Sequence, residues 1–252
     1  MIKINCIENS IDLNKNHFSK FIIEPLEIGQ SVTLGNTFRR IMLNEILSYG
    51  ILFVKINNIV NELSSIPGLR EDLYELLFNL KDITFKEILI KNNSNSQLKG
   101  FINIAGPMII TAGNIQISSP ILEITNHNQY IGTLLNNSQL YLEFHIGKIL
   151  NLENQLLART PLKTRQFLKN SQGKFHVGTS YNPIKFVNFN SKLIHDNHGN
   201  ISESLILEIM TNGSFTPTRC MQDALKKALN LYTTIFFNVN KNFFLELLKQ
   251  KN

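Results

Sequence analysis

Apolar positions along the chain recur with two periods, and each stretch of one period predicts an element. Short apolar runs at Ile2, Ile4 and then 21–23, joined by polar turns, predict strands within residues 1–30, with a turn at Glu24-Pro25. From Gln30 to about Ser48 the period becomes helical. Leu34, Phe38, Ile41, Met42 and Leu43 crowd one broad side there, while Asn36, Arg39, Arg40 and Asn44 fall largely on the other. Ser31 or Thr33 is the expected N-cap and Gly50 the expected stop. Gly35 stands inside this helix, where glycine costs about 1 kcal/mol relative to alanine, so a close backbone approach is expected. Residues 51–59 read as a β-branched strand. Beyond Pro67-Gly68, Leu69, Leu73, Leu76, Leu77 and Leu80 keep a 3.6-residue rhythm and predict a helix over 69–80. Glu71 and Asp72 in its first turn and Lys81 at its far end suit the helix dipole.

Between residues 85 and 144 the pattern shortens to apolar runs (88–90, 101–104, 108–110, 121–124, 140–146) separated by Asn, Ser and Gly, which predicts a β-rich unit. Within it, 91–97 reads as a loop tip. Residues 151–173 carry Arg159, Lys163, Arg165 and Lys169 in a weak pattern and read as a basic surface loop. Strands are predicted at 184–194 and 204–210, then a turn at Asn212-Gly213. Thr216-Pro217 is an N-cap followed by an N1 proline, opening a helix that runs to about Phe237. Met221, Leu225, Ala228, Leu229, Tyr232 and Phe236 line one of its faces, and an amphipathic segment at 243–249 extends it or packs beside it.

A chain of 252 residues with 43% hydrophobic content is long enough for one large domain or two modest ones. The net charge of +6 and pI near 9.2 invite a nucleic-acid reading, but the lysines are scattered rather than massed. Lysine, asparagine and isoleucine are abundant, as in AT-rich genomes such as those of plastids and reduced bacteria. Cys6 and Cys220 are isolated and are expected to be small buried thiols rather than a disulfide. The N-terminus contains acids and no long apolar run, so no signal peptide is expected. No stretch approaches the ~18 apolar residues of a membrane span.

Candidate chemistry is thin. Gly29 and Gly35 are not followed by Gly-Lys-Ser/Thr, and neither GxSxG nor HExxH occurs. Glu24 and Glu27 have no catalytic company. His195, Asp196 and His198 in HDNHGN are the weak candidates for a metal site or a hydrolase, and are read as solvent-facing loop residues. No catalytic residue, metal ligand set or cofactor is expected. The two long apolar helices leave two readings open: both are core, or both pair with the same helices of a second copy.

Four ordered blocks change that balance: EPLEIGQSVTLGNTFRRIML from Glu24, NELSSIPGLREDLYELLFNLKDI from Asn61, YNPIKFVNF from Tyr181 and LEIMTNGSFTP from Leu207. Together they resemble the α subunit of bacterial-type DNA-directed RNA polymerase, over most of the chain. Two places depart from the family. Only Gly147-Lys148 stands for a glycine-arginine-rich loop, and Thr218 and Arg219 replace the acids that usually follow the proline.

The resemblance implies an α+β fold with a discontinuous dimerisation domain (1–50 and 182–252; a mixed sheet with two long helices). A β-rich domain, 51–181, is inserted in it. It implies a homodimer through Leu34, Phe38, Ile41, Leu225, Leu229 and Phe236. Arg40 and Leu43 would meet the β-type subunit, and Glu75, Lys81 and Val177 would serve assembly with the large β and β′ subunits. The chain would then be a non-catalytic component of a nucleotidyltransferase complex, touching DNA only indirectly and no membrane. Its expected place is the plastid (chloroplast stroma), or alternatively a bacterial cytoplasm. The carboxy-terminal promoter-binding domain of full-length relatives is expected to be absent. The competing expectation is a basic nucleic-acid-binding module without polymerase partners.

Overall fold

The structure, a computed structural model, describes residues 2–13, 15–46, 48–56, 59, 65–88, 98–149, 173–177, 182–195 and 201–249. The chain opens with β1 (Lys3–Ile11), β2 (His17–Leu26), α1 (Gln30–Glu45) and β3 (Ser48–Ile56). Its middle holds α2 (Leu73–Lys81), β4 (Phe85–Glu87), β5 (Leu98–Ala105), β6 (Met108–Thr111), β7 (Gln116–Ile117) and β8 (Leu122–Ile124). Then come β9 (Tyr130–Leu134), β10 (Gln139–Ile149), β11 (Lys174–His176), β12 (Ile184–His195), β13 (Ile201–Thr211) and α3 (Pro217–Lys249).

The elements from the two chain ends build one core. Hairpins β1–β2 and β12–β13 lie side by side through β2 and β13, giving the sheet order β1-β2-β13-β12. Every pairing in it is antiparallel, so the sheet expected to be mixed is not: each hairpin reverses direction at its turn, and β2 and β13 where the hairpins meet also run opposite ways. Alternation along β2 buries Ser19, Phe21 and Ile23, and β13 buries Leu205, Leu207 and Ile209 beside them. Phe38, Ile41 and Met42 of α1 and Cys220, Met221 and Ala224 of α3 close over that face.

The middle of the chain builds a second core. The five-stranded sheet β11-β3-β10-β5-β7 and the pairs β4–β8 and β6–β9 enclose Leu73, Leu76 and Leu80 of α2. Each side chain buried this fully stabilises the fold by about 1.5–3 kcal/mol relative to exposure.

Local expectations fail where tertiary contacts compete. Glu24-Pro25 is no turn; β2 runs through it to Leu26, with the peptide cis. Pro25 has no N–H to donate, and it sits where the β13 register shifts between Glu203 and Leu205. Helix α1 starts at Gln30 after a left-handed Gly29, leaving Ser31 and Thr33 inside it, and ends at Glu45; Gly50 is buried in β3. The close approach at Gly35 is an aromatic ring rather than backbone: an added Cβ would lie 2.6 Å from Phe189 Cγ. Helix α2 starts at Leu73, four residues late, because Glu71 is drawn into a buried hydrogen-bond network. Of the two arrangements left open for 243–249, extension is the one seen: α3 is continuous over 33 residues. Of the two free thiols, Cys6 is exposed and only Cys220 is buried, because β1 is an uncovered edge strand. The 91–97 loop tip, nearly all of the 151–173 loop, Asp196 and His198 lie outside the described residues. No described helix is long and apolar enough to cross a membrane. Among the described residues no three His, Cys, Asp or Glu side chains are grouped to hold a metal.

Candidate interaction faces

Two outward faces carry the features that the sequence singles out. The first is made by α1 and α3, which lie against each other over the antiparallel sheet. The start of α1 is fixed from a distant strand. Glu203 of β13 accepts hydrogen bonds from the hydroxyl of Ser31 and from its N–H, the latter at 3.1 Å. The Ser31 side chain, then the Gly29 N–H, hold the Glu203 carboxyl below its usual range, burial opposing them and the Ser31 N–H adding to them. A carboxylate there satisfies amides that have no partner within the helix, at the positive end of its dipole.

Helix α3 follows a turn whose Gly213 adopts φ +88°, a conformation that glycine takes readily. Thr216 Oγ1 accepts the Arg219 N–H at 3.4 Å, as an N-cap should. Two stripes then run along α3. Cys220, Met221, Ala224 and Ala228 face the sheet. Leu225, Leu229, Tyr232, Phe236 and Val239 fall within about 80° of arc on another side and are all exposed, Leu229 at 62% and Phe236 at 63%. The six residues expected at the dimer interface therefore divide. Leu225, Leu229 and Phe236 present open apolar surface, and Leu34 is half-buried. Phe38, at 4% exposure, and Ile41 are interior residues of their own chain, because the broad side of α1 is needed to cover the sheet. Arg39 and Arg40 are exposed; Leu43 is half-buried, and its carbonyl accepts Asn182 Nδ2 at 3.1 Å.

The second face is the outside of α2. Glu75 is exposed and Lys81 half-buried. Val177 differs: its side chain is fully buried in the second core and its N–H donates to the Leu52 carbonyl at 3.1 Å, so in the single chain it presents no surface. Sequence reasoning missed the exposed Tyr74 and Phe78 beside Glu75, which border an open groove of about 840 Å³ with Arg70, Asn79 and Tyr130. Its floor is the Glu71 carboxylate, which accepts from the Tyr130 hydroxyl, from the Thr133 N–H at 2.7 Å and from Arg70 Nε at 3.0 Å. Burial pushes Glu71 up, but these donors, Tyr130 foremost, bring it below its ordinary value.

A polar seam joins the two cores. Arg219 at the start of α3 lies 2.6 Å from Glu87 of β4 and 4.7 Å from the centroid of the Phe215 ring. Lys15 Nζ donates to the Thr125 carbonyl at 2.7 Å. A cation at a helix N-terminus opposes the dipole. The buried Glu87 carboxylate accounts for the arginine that departs from the usual acids. A cleft of about 440 Å³ opens along the seam, with Lys81 and Lys185 on its walls. His195, the last residue of β12, is exposed.

The fold is of the α+β class: the middle strands form their own sheet-and-helix core, flanked by a sheet built from both chain ends. Residues 54–149 match the RNA polymerase Rpb3/RpoA insert domain. The chain is 36% identical over 235 residues to a DNA-directed RNA polymerase subunit alpha from Rhodomonas salina, covering 92% of this chain and 68% of that one. It is 35% identical over 248 residues to the Mesostigma viride protein of the same name, covering 96% and 73%. The Chara vulgaris protein is 36% identical over 234 residues, covering 93% and 61%. The chain belongs to the family of DNA-directed RNA polymerase α subunits. All three organisms are algae, and the likeness is to plastid transcription proteins. Nothing favours the free-standing nucleic-acid module that the net charge suggested.

Proposed function

We propose that this chain is the non-catalytic assembly scaffold of a plastid DNA-directed RNA polymerase, working in the chloroplast stroma. Two copies pair through α1 and α3, and the pair gathers the β and β′ type subunits; DNA is met only through the complex. The observation that carries this reading is the stripe of Leu225, Leu229, Tyr232 and Phe236 standing open on α3. Monomeric proteins rarely leave a large contiguous apolar patch open, and a self-complementary face serves both partners of a two-fold pair.

The division into a dimerisation domain (1–50 and 182–252) and an inserted domain (51–181) is supported by the two separate cores, one drawn from both chain ends and one from the middle. Arg40, Leu43, Glu75 and Lys81 are the contacts proposed for the large subunits. Val177 acts behind them by holding β3 in place through Leu52. Co-purification tests the reading: Arg40→Ala protein should stay dimeric while recovery of the β type subunit falls. Unchanged recovery removes Arg40 from the site, and a chain that is monomeric at micromolar concentration ends the scaffold reading.

A further inference from the structure

The five-stranded sheet β11-β3-β10-β5-β7 turns one face to the second core and the other outward. Phe175, Val54 and Phe144 point inward and are buried. Their neighbours in sequence stand on the outer face, and the register aligns them in two rows across four strands. One row runs Lys174, Lys55, Glu143, Phe101; the next runs His176, Phe53, His145, Lys99. Residues directly opposite in such a pairing share a face at ~5 Å, and the two rows lie ~7 Å apart along the strands.

This face is charged in one sense. Its three lysines are exposed, and Glu143 is the one carboxylate in the two rows. Lys99 Nζ takes that carboxylate at 2.7 Å. Among the described residues neither Lys55 nor Lys174 forms an ion pair, although the two are direct cross-strand partners. Like charges placed directly opposite destabilise a sheet. An anion bound between the two ammonium groups removes that cost. Burial first, with the fields of Lys174, Lys99 and Lys55 behind it, holds the His145 imidazole below its usual value against the pull of Glu143. The three lysines thus act on one spot, where the ring is largely uncharged near pH 7. Beside it, half-buried Phe53 and exposed His176 meet edge-to-face with 5.4 Å between ring centroids.

We propose that this outer face binds single-stranded RNA, with Lys55 and Lys174 holding phosphates and the His176–Phe53–His145 row taking bases. Charge and aromatic rings interleaved on one sheet are what a strand with unstacked bases requires. An acidic peptide would use the lysines and leave the aromatic row idle, and duplex DNA keeps its bases stacked out of reach. RNA is the single strand that a DNA-directed RNA polymerase makes, which sets it ahead of single-stranded DNA. None of these residues lies on α1, α2 or α3, so RNA binding here goes beyond the scaffold role and does not rest on it.

Fluorescence anisotropy of a labelled single-stranded RNA of about 20 nucleotides, titrated with the full chain at about 50 mM salt, reads the binding. The expected dissociation constant is ~1–100 μM, with a log–log salt slope of about −1.4 for two neutralised phosphates. Lys55→Gln/Lys174→Gln should weaken binding at least fivefold and flatten the slope. Lys3→Gln/Lys192→Gln makes the same charge change on the other sheet and should leave both within twofold. Phe53→Leu, which keeps apolar bulk, should weaken binding at least threefold at an unchanged slope. On the unaltered chain, ultraviolet cross-linking of RNA carrying 4-thiouridine should map by mass spectrometry to peptides of β3, β10 or β11. Equal affinities for the two double variants overturn the site, as do cross-links found only elsewhere or an unaltered chain that binds no RNA at about 100 μM. An aspartate-rich peptide or duplex DNA that binds this face more tightly than the RNA, through the same two lysines, overturns it in favour of that partner.

Discussion

Replacing Gly35 with alanine sets two effects of known size against each other in the helix that carries Arg39 and Arg40. Alanine in a helix interior is favoured over glycine by about 1 kcal/mol. Against this, the new methyl would lie 2.6 Å from Cγ and 2.8 Å from Cε2 of Phe189. Cγ is the root of the ring, so the whole side chain must rotate away from α1, and Phe189 is half-buried against the core there. Forcing a methyl into a packed site costs about 1–3 kcal/mol. The clash wins, and Gly35→Ala should destabilise by about 1 kcal/mol net, lowering Tm by ~2–4 °C for a chain of this size. In a Phe189→Ala background the obstacle is gone and only the helix preference remains. There Gly35→Ala should stabilise by about 1 kcal/mol, which puts the coupling in the ~0.5–3 kcal/mol range of side chains in contact. Urea unfolding followed by far-UV dichroism, at one fixed subunit concentration, measures all four proteins of the cycle. Equal shifts in the two backgrounds, or a more stable Gly35→Ala protein in the wild-type background, would refute the reasoning.

Three further outcomes follow from the described contacts. Arg219→Ala removes the guanidinium from the buried Glu87 carboxylate, which also accepts from the Tyr49 hydroxyl, and should cost about 1–3 kcal/mol; the Glu87→Gln/Arg219→Gln pair should recover most of it, as read by urea midpoints. Glu71 is held below its ordinary value, so its contribution is present above the unfolded-state pKa of ~4.3 and fades as pH falls through the lower folded value. The stability difference between wild type and Glu71→Gln should therefore shrink between about pH 5 and 3, and a difference independent of pH would contradict this. Burial pushes the Cys220 thiol up to about 12, so iodoacetamide at pH 8 should leave it unmodified in the folded chain and label it in urea, as mass spectrometry will report.

What the sequence determined by itself was local in origin. Periodicity in 30–48 and 217–237 marks helices and their apolar sides, because a 3.6-residue repeat needs only neighbours on one helix to be read. Thr216-Pro217 marks the start of α3 for the same reason, and the stripe ending at Phe236 was legible before any fold was known. Tertiary structure decided everything that depends on what lies opposite. Ser31 was a sound N-cap by residue type, yet its hydroxyl turns to Glu203, 172 residues away, and that carboxylate caps the helix instead. Glu71 suited a first helical turn, but Tyr130 and Thr133 draw it into a buried network and delay α2 to Leu73. Phe38, Ile41 and Val177 are apolar in any reading. Whether such a side chain faces a partner or its own core depends on how much sheet lies beneath its helix or strand, and that area is fixed only when strands from the two ends of the chain meet.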